Sequence, residues 1–378
     1  MKQTVKWLAA ALIALGLNQA VWADDVSDFR ENLQAAEQGD AAAQYNLGAM
    51  YYKGRGVRQD DTEAVRWYRQ AAAQGFAPAQ ALLGSMYAIG QGVRQDDAEA
   101  VKWYRQAAEQ GDAQAQVLLG VMYDKGEGVR QDDAQAMQRF RKAAEQGDAA
   151  AQHNLGLMYL TGEGVRQDYA EAMQWFRKAA EQGIAEAQYN LGVMYHKGAG
   201  VRQDYAQAVQ WFRKAAERGK AEAQHNLGLM YLTGEGVRRD SKQAAQWFRK
   251  AAEQGIVQAQ HNLGLMYLTG EGVRRDSKQA AQWFRKAAEQ GIVQAQHNLG
   301  IRYYKGEGVR RDYKQAAQWY RRAAEQGDAV AQHNLGLMYL KGEGVRQDRA
   351  LAQEWLGKAC QNGNQDGCDN DQRLKAGY

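Results

Sequence analysis

The chain has 378 residues, a formal charge of +4 and 45% hydrophobic residues. So even a charge balance gives no global drive toward nucleic acid or an anionic lipid surface. Length alone suggests two or three domains, but an unbroken internal period overrides that expectation.

Residues 1–23 read as a cleaved signal peptide rather than part of the fold: Lys2 and Lys6 precede a short apolar run from Leu8 to Leu17, and Val21-Trp22-Ala23 offers a cleavage site before Asp24. The run is too short for a membrane anchor, and there is no cysteine at the cut for lipid attachment. No later stretch approaches the roughly 18 apolar residues of a spanning helix, so a soluble periplasmic or secreted product is expected. The mature chain would hold 355 residues with a charge of +2.

Residues 24–42, with Phe29, Leu33, Ala35 and Ala36, resemble half a repeat and read as an N-terminal capping helix. Nine 36-residue units follow over 43–366: 43–78, 79–114, 115–150, 151–186, 187–222, 223–258, 259–294, 295–330 and 331–366. The stretch 223–258 reads AQHNLGLMYLTGEGVRRDSKQAAQWFRKAAEQGIVQ and recurs letter for letter at 259–294. Residues 367–378 form a C-terminal cap.

Within a unit the apolar spacing is helical. Ala43, Leu47, Met50 and Tyr51 share one face of a helix over about 41–53, which Gly54-Arg55-Gly56 ends. Asp60 then starts a second helix, with Glu63 completing a capping box. Asp followed by Glu or Gln three places on occurs in eight of nine copies, Asp348 with Leu351 being the departure. The second helix, about 61–74, is expected to bury Ala64, Trp67, Tyr68, Ala71 and Ala72 and to stop at Gly75; Pro78 sits in the first turn of the next helix, where a missing N–H costs least. Each Trp would bury on the order of 200 Å², roughly 5 kcal/mol gross per repeat. The glycine at 48 and its equivalents is expected to let helices approach closely.

The pattern AxAQxNLGxMYxxGxGVxxDxxxAxxWxRKAAEQG at period 36 resembles the Sel-1-like repeat family, relatives of tetratricopeptide repeats with a longer turn. The resemblance implies an all-α fold, a right-handed α/α superhelical solenoid of nine helical hairpins, acting as an adaptor that assembles other proteins. Cys360 and Cys368, an even pair in an exported chain, read most simply as a disulfide contributing roughly 2–3 kcal/mol, with two buried thiols as the alternative. Their spacing is similar to that of a secreted cysteine-rich branch of the family, which carries such a pair in most repeats where this chain carries one.

Comparing copies within the chain separates constant positions from variable ones. Positions equivalent to 45, 49 and 52 vary and fall at i, i+4 and i+7, a second stripe on the first helix. By similarity to tetratricopeptide solenoids, this stripe lines a concave groove suited to a protein or peptide partner. The residues assigned to it are His153, Leu157, Leu160, Tyr189, His196, His225, Leu229, Leu232, His261, Leu265, Leu268, His297, Ile301, Tyr304, His333, Leu337 and Leu340. The plainer alternative is that these leucines pack between neighbouring first helices.

Other chemistry is weaker. Five of the six histidines occupy one position in different repeats, so they form a ladder that does not converge on a metal; His196 near His225 is the one pair worth inspecting. Neither metal nor cofactor is expected. An enzymatic role, linked to the cysteine-rich branch as penicillin binding or β-lactamase activity, lacks its nucleophile motif, because no mature serine (Ser27, Ser85, Ser241, Ser277) has Lys three residues on. Arg58 and its equivalents, with the extra Arg239, Arg275 and Arg311, form a basic row along the turns, read as a solvated edge with an acidic polymer or lipid head group as the lesser possibility. Arg139 takes the Trp position of repeat three and Arg302 the Met position of repeat eight; the first is expected to leave the most easily opened interface. The reading is an exported interaction scaffold, not an enzyme, with a secreted factor engaging host cells as the alternative.

Overall fold

The computed structural model describes residues 25–376. Among them are twenty helices, α1 (Asp25–Glu37) to α20 (Gln365–Lys375), and no strand. The expected leader lies outside the described residues. No helix among them is long and apolar enough to cross a membrane. The chain divides into two compact units at residues 194–203, and in each of them hairpins follow one another in chain order, every second helix packing on the next first helix.

Repeat one shows how the sequence builds a hairpin. The first helix spans Ala41–Lys53 and the second Asp61–Ala73, leaving seven residues between them. Gly54 closes the first helix in the left-handed conformation at φ 68°. Asp60 caps the second by accepting from the N–H groups of Thr62 and Glu63. The capping box is not closed by Glu63, because the Asp60 N–H donates instead to the Tyr51 carbonyl at 2.9 Å. This bond, repeated down to Asp348 on Tyr339, ties the end of one helix to the start of its partner.

The core differs from expectation in one respect. Trp67 is buried in repeat one, but Trp103, Trp175, Trp211, Trp247 and Trp355 are only half-buried. The fully buried ring is that of the next residue, Tyr68, Tyr104, Phe176, Phe212, Phe248 and Phe284 among them. The Trp ring instead lies under a cation of its own helix, as Lys250 Nζ over Trp247 at 4.3 Å. Arg139 therefore replaces a partly exposed ring and not the core anchor, which Phe140 still supplies at 3% exposure.

The two kinds of glycine do different work. A Cβ on Gly264 would lie 2.7 Å from two carbons of the Phe284 ring, so the first-helix glycine is the seat of the core aromatic within its own hairpin. A Cβ on Gly272, in the turn at φ 69°, would lie 2.0 Å from the Ser241 carbonyl oxygen of the preceding repeat. The turn glycine is thus where adjacent hairpins touch backbone to backbone.

Two polar ladders cross the interfaces. Gln224, Gln260 and Gln296 are buried, each donating to an alanine carbonyl eight residues back and accepting from a glutamine thirty residues on, as Gln254 Nε2 to Gln224 Oε1 at 2.8 Å. Arg249 donates to the Tyr267 hydroxyl of the next repeat at 2.6 Å, and Arg213 to Tyr231 likewise at 2.8 Å. Arg302 is buried in the Met position and pairs with Glu307.

Both ends are covered. Phe29, Leu33 and Ala35 of α1 pack against Ala43, Leu47 and Trp67 of repeat one. At the other end, the stretch that loses the repeat pattern is still helical, and Leu374 packs into the core of the last repeats. Cys360 and Cys368 form a disulfide joining the last two helices.

Candidate functional site

All seventeen residues assigned to the stripe are half-buried, and none is sealed in the interior. Each lies on the first helix of its repeat, displaced from the buried stripe of Ala, Leu and Met by the helical period. The equivalents in repeats two and three are different: Ala81, Ser85, Ala88, Val117 and Val121 are buried. There the position after the stripe's first residue is Leu82 or Leu118, also buried, where the other repeats carry Asn. Within the first unit the half-open stripe is thus interrupted, and it resumes at repeat four.

The histidines have a structural role that their sequence periodicity does not disclose. His225 leans on its own core ring, Phe248, with centroids 5.7 Å apart, and its Nε2 lies 3.4 Å from the Asn262 amide of the next repeat. His261 repeats this with Phe284 and Asn298, His153 with Phe176 and Asn190, and His333 meets Asn370 of the cap at 3.0 Å. His297 leans on Tyr320, but its Nε2 is buried with no hydrogen bond among the described residues. The imidazoles clamp consecutive first helices together. Burial pushes His225, His261, His297 and His333 below the ordinary histidine value, so they are neutral at pH 7.

His196 is not directed toward His225. It faces Glu235 at 3.8 Å and the ring of Tyr205 at 5.3 Å. Among the described residues no group of three or more His, Cys, Asp or Glu is placed to hold a metal ion.

A hollow of the stripe lies between repeats eight and nine. A cavity of about 290 Å³ is lined by Ile301, Tyr304, Leu337 and Met338, with Asn334, Glu343 and Lys305 at its polar edge. Tyr304 donates to Glu343 at 2.9 Å, which holds the ring upright as one wall and pushes its hydroxyl above the usual tyrosine range, burial being the larger cause. Apolar walls with a few convergent polar groups can take one apolar side chain of a partner and orient the peptide beside it. Sequence reasoning found the walls, since Ile301, Tyr304 and Leu337 were assigned to the stripe. It missed the polar residues that carry the interface: Gln at 44-type positions and Asn at 46-type positions are invariant or nearly so, yet a polar residue beside an apolar face reads as surface until its partner thirty or more residues away is known.

Models of known families match the chain as Sel1 repeats over 41–76, 77–112, 113–148, 149–184, 185–220, 221–256, 257–292, 293–328 and 329–364. The chain belongs to the Sel1 repeat family. Each family repeat begins two residues before the units read from the sequence, in register with the observed first helices. Among solved structures, this Sel1 repeat protein is similar to a protective antigen of uropathogenic Escherichia coli strains displaying the same repeat fold, at 36% identity over 93% of this chain and 91% of that one, TM-score 0.58. It is also similar to a Sel1 repeat protein of Oxalobacter formigenes, at 31% identity over 96% and 94%, TM-score 0.58. No curated protein matches the sequence.

Proposed function

We propose that this Sel1 repeat protein is an exported interaction scaffold that takes a protein or peptide partner on the half-open stripe of its first helices, with no catalytic role. The observation that carries the reading is the stripe's intermediate burial: apolar residues repeated at one position, neither sealed inside nor fully solvated, ending in a cavity that fits a side chain. Family membership supports a scaffold, since hairpins of this kind present repeated surfaces instead of a reactive centre.

The leucines and isoleucine are the right residues to test, because the histidines hold helices together and their loss would confuse binding with stability. Partner capture from an envelope extract is to be compared between the intact protein and Leu229→Ala/Leu265→Ala/Ile301→Ala/Leu337→Ala. The species captured by the intact protein should disappear with the variant while the helical circular dichroism signal stays. Undiminished capture refutes the stripe assignment. Export predicts a mature protein whose N-terminal sequence starts at Asp24.

A host-facing role is the second reading, supported by one observation: a relative covering most of this chain is a protective antigen. Protein of this kind detected outside the cell and bound to host cells, with binding lost in the same variant, would distinguish it from a periplasmic scaffold.

A further inference from the structure

A second surface lies on the turns, and it is unevenly charged. Take the six residues from the turn arginine into the second helix. Repeats one and two carry one cation there against three carboxylates, Arg58 against Asp60, Asp61 and Glu63 in the first. Repeats six to eight carry three cations against one carboxylate, as Arg238, Arg239 and Lys242 against Asp240. Two changes are confined to those repeats, VRQD becoming VRRD and a small residue becoming Lys; the fall in carboxylates comes from the second Asp, absent from repeat four onward, and from Gln in place of Glu, which repeats three and five share. Since the chain as a whole is nearly balanced, this is a local segregation of charge.

In the structure those same repeats carry three open clefts of 700, 760 and 760 Å³. The middle one is lined by Arg274 and Arg275 from its own turn and by Arg249 from the preceding repeat. Arg249 is held in place by its bond to the Tyr267 hydroxyl, so one guanidinium of this cleft is pre-positioned and two extend into solvent. The next cleft repeats the set with Arg285, Arg310 and Arg311, where Arg285 donates to Tyr303. Arg239 spends its charge on Glu271 at 2.7 Å, whereas Arg274, Arg275 and Arg310 have no carboxylate partner among the described residues.

From this convergence we infer that the turns of repeats six to eight bind a linear acidic polysaccharide, its uronate or sulfate groups seated on successive arginine clefts. Guanidinium pairs match planar and tetrahedral oxyanions in fork geometry. The ligand class follows from the rest of the lining. Glu253, Asp276 and Gln279 also line the middle cleft, where carboxylates oppose a purely acidic peptide but accept sugar hydroxyls. Stacked bases find both aromatic rings of the middle cleft already covered: Trp283 is 9% exposed and lies beneath Lys286 at 4.2 Å, and Arg249 lies over Tyr267 at 6.0 Å. The proposal does not rest on the first-helix stripe, which lies on other residues.

The test restores the residue found in the remaining repeats: Arg239→Gln/Arg275→Gln/Arg311→Gln. Binding to heparin and to alginate is measured at low and moderate salt, with neutral dextran alongside. The intact protein should bind a charged polysaccharide and not dextran, with affinity falling as salt rises, and the triple variant should bind about tenfold more weakly or worse with unchanged thermal unfolding. Lys53→Gln/Lys197→Gln/Lys341→Gln, which removes the same charge elsewhere, should bind as the intact protein does. Equal loss in the two variants overturns the site. So does no binding of either acidic polysaccharide at low salt. Equal competition by polyglutamate or single-stranded RNA overturns the ligand class.

Discussion

Replacing Gly264 with Ala tests the most specific packing statement of the fold. In an isolated helix the change is favourable by about 1 kcal/mol, because glycine pays the larger backbone entropy. In this hairpin the new Cβ would stand 2.7 Å from both Cδ1 and Cε1 of Phe284, where apolar carbons pack at about 3.5–4.0 Å. The ring cannot withdraw easily: it is 0% exposed and backed by His261, centroids 5.8 Å apart. Overpacking of this kind costs about 1–3 kcal/mol, so the net effect expected is a destabilisation of about 1 kcal/mol. Phe284→Ala alone should cost about 3–5 kcal/mol, and in that background Gly264→Ala should become stabilising, because its methyl enters the vacated space. The measurements are urea unfolding by circular dichroism for each corner of the cycle, with hydrogen exchange over 257–289 to localise the effect. The chain supplies its own replicate, since residues 223–258 and 259–294 are identical and Gly228 meets Phe248 at 2.8 Å. If Gly264→Ala by itself raises the urea midpoint, the ring does not rest on the glycine and the account of the hairpin is wrong.

Gly272→Ala should be worse than Gly264→Ala, by several kcal/mol, because its Cβ meets a backbone carbonyl at 2.0 Å and its φ of 69° is strained for alanine; Gly255→Ala, with φ 94° and open space around it, should cost only about 1 kcal/mol, and equal costs at the two sites would contradict the interface role. The four depressed histidines make stability depend on acid: above the ordinary value of 6.5 both states are neutral and stability is complete, while below it the unfolded chain takes up protons first, so the melting temperature should fall as pH drops from 6.5. His225→Tyr/His261→Tyr, using the residue that repeats one and five carry at that position, should flatten that slope, and an unchanged slope argues against the clamp. Arg302→Met should be neutral or stabilising by about 1 kcal/mol, since the buried guanidinium loses more solvation than its single pairing returns, and a clear loss of stability would show the ion pair to be net favourable. Cys360→Ser/Cys368→Ser should lower protection of the last two helices by roughly 2–3 kcal/mol, read as faster tryptic cleavage at Arg373.

The periodic part of this protein is written in the sequence because a repeat buries its apolar face only on its neighbours, so one spacing serves every unit. Helix limits of Ala41–Lys53 and Asp61–Ala73 follow from Asp60, Gly54 and Gly75, whose backbone preferences are local. The stripe of 45, 49 and 52 could be assigned to one helix face for the same reason. Its burial could not, because exposure depends on what the adjacent hairpin brings across: repeats two and three seal positions that repeats four to nine leave half-open. Likewise Trp247 and Phe248 are adjacent aromatics with equal claim to the core, and only the seat offered by Gly228 selects the second. The histidine clamps, the buried glutamine ladder and the arginine clefts each join residues thirty or so positions apart, and such pairings arise only when the hairpins stack. Local chemistry and period therefore determined the units and their order, whereas tertiary packing decided which side chains became core, clamp or open surface.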